Sequence, residues 1–103
     1  MIQAIDIREE DVIVLRAILR QCLPDEAQVW AFGSRVTGRA CRGSDLDLAI
    51  DAGRPLGQDA VAALREALEN SDLPYPVDLV DLATASPGFR ARIDSSLRPF
   101  PIR

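Results

Sequence analysis

The sequence predicts a small α/β (α+β) domain: a mixed sheet of three to four strands with helices mainly on one face. Three observations carry that expectation. Apolar residues recur at three- and four-residue steps in some segments and at two-residue steps in others. The two kinds of segment alternate along the chain in the order α-β-(turn)-β-α-β-α-(β), the pattern of a layered sheet with helices packed on it. The 103 residues suit one core, so 1–103 is expected to be a single domain.

The first element is a helix over residues 7–22, where Val12, Leu15, Leu19 and Cys22 form the stripe and Asp6 can cap the start. "PDE" breaks it. "AQVWAFG", Ala27 to Gly33, is a strand ending in glycine, with Trp30 and Phe32 as core residues. "SRVTGR" can make one or two helical turns from Ser34. "SDLDLAID" is a second strand, with Leu46, Leu48 and Ile50 on one face and Asp45, Asp47, Ala49 and Asp51 on the other. "AGRPLG" is a loop, and "QDAVAALREALENS" a helix with the stripe Val61, Leu64 and Leu68. "YPVDLVDL", Tyr75 to Leu82, is a third strand whose Pro74 and Pro76 mark an edge or a strand start. "SPGFRARIDSS" is a short helix with Pro87 in its first turn, and "LRPFPI" can supply a final strand. Phe89, Phe100 and Ile102 either pack on the domain or face a partner.

Composition narrows the chemistry. The chain is 48% hydrophobic and 27% charged, the balance of a soluble globular protein. No apolar run approaches membrane-spanning length, and no basic-then-apolar segment marks a signal peptide, so the cytoplasm is expected. Cys22 and Cys41 have no metal-ligand spacing and are expected as free thiols. The absence of histidine excludes a Ser-His-Asp or Cys-His system and any histidine-based metal site. A net charge of −4 argues against a general nucleic-acid binder. Within this acidic chain Arg35, Arg39 and Arg42 fall in one short stretch, which suggests a small anionic ligand held there.

That stretch is "FGSRVTGRACRGSDLDLAI", Phe32 to Ile50. Strands disfavour aspartate, yet Asp45 and Asp47 leave one face of the second strand roughly 6–7 Å apart. Two such carboxylates repel unless a cation lies between them. Magnesium fits, because it takes oxygen ligands, keeps waters and commonly uses one or two carboxylates plus substrate phosphates. A third ligand can come from "VDLVDL" if the third strand lies beside the second. Asp78 and Asp81 are the candidates, Asp78 on the face opposite Val77 and Leu79 and Asp81 at the strand end, where it can be simply solvated. Gly33 permits a tight turn and close approach to a ligand. Ser34 opens the short helix, where amides and a hydroxyl can cradle phosphate, and Ser44 precedes the acids. Gly38 lets the loop fold back so that Arg35, Arg39 and Arg42 meet phosphate oxygens. Two metals there would activate an attacking oxygen and stabilise a leaving pyrophosphate.

"GSRVTGRACRGSDLDLAI" followed by "VDLV" resembles the minimal nucleotidyltransferase (MNT) domains of the DNA polymerase β superfamily. Gly33, Ser34, the ten-residue spacer, Asp45 and Asp47 match the family signature, and Asp78 matches its third carboxylate. The resemblance implies a polymerase β-like nucleotidyltransferase fold, with Asp45, Asp47 and Asp78 as catalytic and metal-holding residues. Gly33, Ser34, Arg35, Gly38, Arg39, Arg42 and Ser44 would stand around the nucleotide. It also implies two Mg2+ ions, ATP as substrate and transfer of a nucleoside monophosphate to a hydroxyl. Stand-alone chains of this size look like the antitoxin half of HEPN–MNT toxin–antitoxin pairs, in which the MNT protein adenylylates its HEPN toxin partner. A hetero-oligomer with that toxin, without nucleic acid or membrane, is therefore expected. Two other readings stay open: an antitoxin that acts by binding alone, and the catalytic subunit of a two-protein small-molecule nucleotidyltransferase.

Overall fold

The computed structural model describes residues 5–41 and 43–102; Arg42, one of the expected nucleotide contacts, lies outside the described residues. Helix α1 spans Glu9–Cys22, with Glu9, Glu10 and Asp11 in its first turn and Arg20 in its last, charges that oppose the helix dipole favourably. Asp6 does not cap it. Arg8 holds the N-cap position, and its side chain accepts nothing from the first-turn amides, while the backbone of Asp6 is bound to Arg35 instead. Strand β1 (Gln28–Phe32) runs into a single helical turn, α2 (Ser34–Thr37), and then a loop leads to strand β2 (Leu46–Asp51). Helix α3 (Gln58–Glu69) carries the chain to strand β3 (Val77–Asp81). Helix α4 (Pro87–Ile93), a 3-10 turn (Asp94–Ser96) and strand β4 (Arg98–Pro99) complete the described chain.

The sheet order is β3-β2-β1-β4. β2 is antiparallel to β1 and parallel to β3, while β4 lies antiparallel on the far side of β1. β3 is an edge strand that starts directly after Pro76, as its prolines imply, because proline has no amide to give a ladder. The second and third strands are shorter than the alternation suggests, which leaves Asp45 just ahead of β2 rather than within it.

Period-two alternation sorts β2 into two environments. Leu46, Leu48 and Ile50 are buried against α1 and α3, where Leu15, Leu19, Leu64, Leu68, Val29, Ala31, Phe100 and Ile102 complete the main core. Each side chain buried this fully contributes roughly 1.5–3 kcal/mol relative to exposure. On the other face Ala49, Leu82 and Ile93 form a smaller cluster with Trp30, Phe32, Val80, Phe89 and Leu97, the face on which α4 packs. The long helices thus share one face, and only the short α4 covers part of the other. Asp47 and Asp78 stand two register steps from the Ala49–Val80 pair, on the same face of the sheet as that smaller cluster.

Candidate active site

Asp47 owes its position to β2, an inner strand of the four-stranded sheet that is flanked by β1 and β3. It lies opposite Phe32 of β1 and beside Asp78 of β3. Paired residues in neighbouring strands point to the same face, so Asp47 and Asp78 emerge together, and Asp45 precedes them by two residues. Asp45 and Asp78 are exposed and Asp47 is half-buried. Burial pushes the Asp47 carboxyl above its ordinary value, and the charges of Asp78 and Asp45 push it further in the same direction. Among the described residues no arginine forms an ion pair with any of the three.

Gly33 forms the adjoining wall. Its φ of 83° is a left-handed value that disfavours side chains, and a Cβ built there would collide with Oδ2 of Asp47. The Asp47 carboxylate therefore rests against bare backbone, next to the first amides of α2. The amides of Val36 and Thr37 donate to the Gly33 carbonyl. Those of Ser34 and Arg35 belong to the first-turn donors that a helix leaves without internal partners.

This donor set fits a divalent cation of the magnesium type. Like charges held together raise the cost of ionisation, and a cation between them removes it. Among the described residues no three acidic, cysteine or histidine side chains close into a metal cage. An ion of this type takes one or two carboxylates and completes its shell with water and phosphate. Asp45, Asp47 and Asp78 are the residues that could hold it.

The expected phosphate-binding residues divide. Ser34, half-buried, opens α2 directly beside Gly33. Gly38 closes α2 in the left-handed conformation, with φ 81° and open space around its α-carbon, so a turn requires it and a close contact does not. Arg39 is exposed in the loop that follows. Ser44 closes a turn, its Oγ accepting from the Cys41 amide at 2.8 Å. Arg35 is tied into the fold. Only 7% exposed, it donates from Nε to the Ser44 carbonyl at 2.9 Å and from Nη1 to the Asp6 carbonyl at 2.8 Å. Its guanidinium lies 3.9 Å from the centre of the Tyr75 ring. These bonds give two of its five N–H donors to backbone carbonyls.

Asp11 and Tyr75, which pattern reading passes over, extend this network. The Tyr75 hydroxyl donates to Asp11 Oδ2 at 2.9 Å, and Arg8 donates to both Asp11 oxygens. Burial raises the Asp11 carboxyl, but the hydrogen bonds from Arg8 and Tyr75 and the charges of Arg8 and Arg35 outweigh it and hold it below its ordinary value. A signal existed: Asp11, Leu15 and Leu19 are four residues apart, so an acid occupies the apolar stripe of α1. Asp81 is likewise structural and not merely solvated. Its Oδ2 accepts from the Leu56 amide and its Oδ1 from the Ala83 amide, which pins the loop before α3. The two cysteines are free thiols, Cys41 exposed and Cys22 half-buried.

The family model for polymerase beta nucleotidyltransferases matches residues 15–98. The chain is 51% identical over 86 residues to a probable protein adenylyltransferase MntA from Haemophilus influenzae, covering 84% of this chain and 75% of that one. A crystal structure of a toxin–antitoxin with AMP-PNP superposes with a TM-score of 0.74 at 31% identity, over 91% of this chain and 73% of that chain. A toxin–antitoxin MntA–HpeT mutant carrying two Asp-to-Glu replacements superposes with a TM-score of 0.73 at 28% identity, over 92% and 73%. A sheet of this order, its acidic pair on the middle and edge strands, and these likenesses agree: the chain belongs to the polymerase beta nucleotidyltransferase family.

Proposed function

We propose that this chain is a magnesium-dependent protein adenylyltransferase that neutralises a partner toxin of the HEPN type by transferring AMP from ATP to a hydroxyl on it, in the cytoplasm. The observation that carries this reading is the juxtaposition of Asp47 and Asp78 in register beside the side-chain-free Gly33–Ser34 turn. The likeness to an adenylyltransferase at 51% identity, and to a toxin–antitoxin with an ATP analogue, supports the nucleotide and the kind of partner. The replaced aspartates of the related mutant are two positions apart, the spacing of Asp45 and Asp47.

Each residue has a task that follows from its place. Ser34 and the first amides of α2 receive phosphate oxygens, which the missing Cβ of Gly33 lets approach Asp47. Asp45 and Asp47 would hold the cation, which when bound would neutralise charge on the triphosphate and the departing pyrophosphate. Asp78, exposed on the edge strand, is open to an acceptor arriving from outside and takes the proton of its hydroxyl. The acceptor oxygen forms a bond to the α-phosphorus as the bond to the pyrophosphate oxygen breaks. Arg39 lends positive charge from the loop, and Ser44 holds that loop's turn.

The test is transfer of label from α-labelled ATP to the toxin encoded beside this chain, in magnesium. Wild type is expected to label the toxin and Asp47→Asn to lose labelling by at least about a hundredfold. Labelling by Asp45→Asn or Asp47→Asn equal to that by wild type, or none by wild type, refutes the proposal.

A further inference from the structure

A buried arginine is costly unless its donors are used, and a turn can be closed by neutral residues at lower cost. Arg35 is buried among the described residues with no carboxylate in direct ion-pair contact, yet it joins four segments. Its own carbonyl accepts from the Asp6 amide at 2.7 Å while its Nη1 donates back to the Asp6 carbonyl. Its Nε donates to the carbonyl of Ser44, the residue before Asp45. Its flat face lies on Tyr75, whose hydroxyl is fixed by Asp11. One residue beyond Tyr75, the Pro76 carbonyl accepts from the Leu46 amide at 2.9 Å. The peptides on both sides of Asp45 are therefore pinned, one by Arg35 and the other by the segment on which Arg35 stacks.

We propose that Arg35 is a positioning residue: it ties the Gly33–Ser34 turn to the Ser44 carbonyl and thereby sets where the Asp45 carboxylate stands. A lysine cannot replace it, because one ammonium lacks the planar fork that serves two carbonyls and the face that stacks on tyrosine. The consequence for nucleotide binding rests on the nucleotidyltransferase reading; the tie between Arg35 and the loop does not.

The experiment compares wild type, Arg35→Lys and Tyr75→Phe by amide hydrogen exchange of the free protein and by titration with AMP-PNP and magnesium. Arg35→Lys is expected to speed exchange at Asp45 and Leu46 about tenfold beyond any change at Leu48 and Ile50, and to weaken AMP-PNP binding about tenfold, the scale of one charge-assisted hydrogen bond. Tyr75→Phe keeps the stacking face but loses the bond to Asp11. It is expected to melt at lower temperature while both other readings stay within about twofold of wild type. If Arg35→Lys fails to fold, Tyr75→Leu removes the face beneath the arginine and should give the same pattern in weaker form. Exchange at Asp45 and Leu46 that tracks Leu48 and Ile50, or unchanged AMP-PNP affinity, overturns the proposal. Should wild type bind no AMP-PNP, the nucleotidyltransferase reading fails, and the exchange comparison still decides the tie.

Discussion

The Asp47 carboxylate lies directly against the backbone of Gly33. Gly33→Ala forces a side chain into the Asp47 carboxylate at a backbone φ of 83°. It is expected to cost about 1–3 kcal/mol of stability, measured by urea denaturation, and to abolish magnesium-dependent AMP-PNP binding. Asp47 carries a cost of its own. Burial and the neighbouring acids raise its folded pKa above the unfolded value near 3.8. The native state then holds the proton more tightly than the unfolded state, so Asp47 lowers stability as pH rises through that raised value. Without divalent metal, Asp47→Asn should therefore melt at higher temperature than wild type at pH 7, by a few degrees, and the gain should vanish near pH 3. Thermal melts across pH in EDTA measure this. The same side chain was legible in the sequence, because an Asp-x-Asp pair in an apolar strand has no structural reason to exist. Arg35 was legible only as a nearby cation. Its burial depends on Tyr75, forty residues later, and no local pattern reports that contact.

Helix α1 shows how an element is fixed by a partner outside itself. Its stripe predicts which residues face the core, and Leu15 and Leu19 do. Its start is set less by a cap than by Asp11, buried at 3% exposure between Arg8 and Tyr75. That is why the expected cap at Asp6 is absent: Asp6 is engaged by Arg35 before the helix begins. Asp11 has the opposite sign of pH dependence to Asp47. Its folded pKa lies below the unfolded 3.8, so its stabilisation is present above the ordinary carboxylate range and is lost as pH falls through the folded value. Asp11→Asn should cost about 1–3 kcal/mol at pH 7, and the difference from wild type should shrink on acidification, as denaturant titrations at several pH values would show. The strands were read with the right faces but as too long, since alternation continues beyond the ladder hydrogen bonds that end a strand. Helix α4 was readable from Ser86 and Pro87, whose cap and first-turn roles are local.

At the scale of the molecule, the last described residues close the core. Phe100, 1% exposed, and Ile102 pack in the main cluster, so this segment belongs to the fold. Phe100→Ala should cost about 3–5 kcal/mol, a large part of a small domain's stability, and calorimetry should show a marked fall in melting temperature. The sequence left Phe100 open between core and partner, because two residues of strand are too few to carry a pattern. Strand order was not readable from local signals either, and it is what joins Asp47 to Asp78. Among the described residues no helix is long and apolar enough to cross a membrane.

The account turns on one claim, that Asp45, Asp47 and Asp78 converge on divalent metal and so place a nucleotide beside Gly33 and Ser34. Anomalous diffraction from a crystal grown with manganese and AMP-PNP tests it most directly. The account predicts a peak about 2.1 Å from oxygens of Asp45 and Asp47, with the phosphates against the start of α2. Nucleotide seated elsewhere, or a metal bound to phosphate alone with these carboxylates turned away, would contradict it.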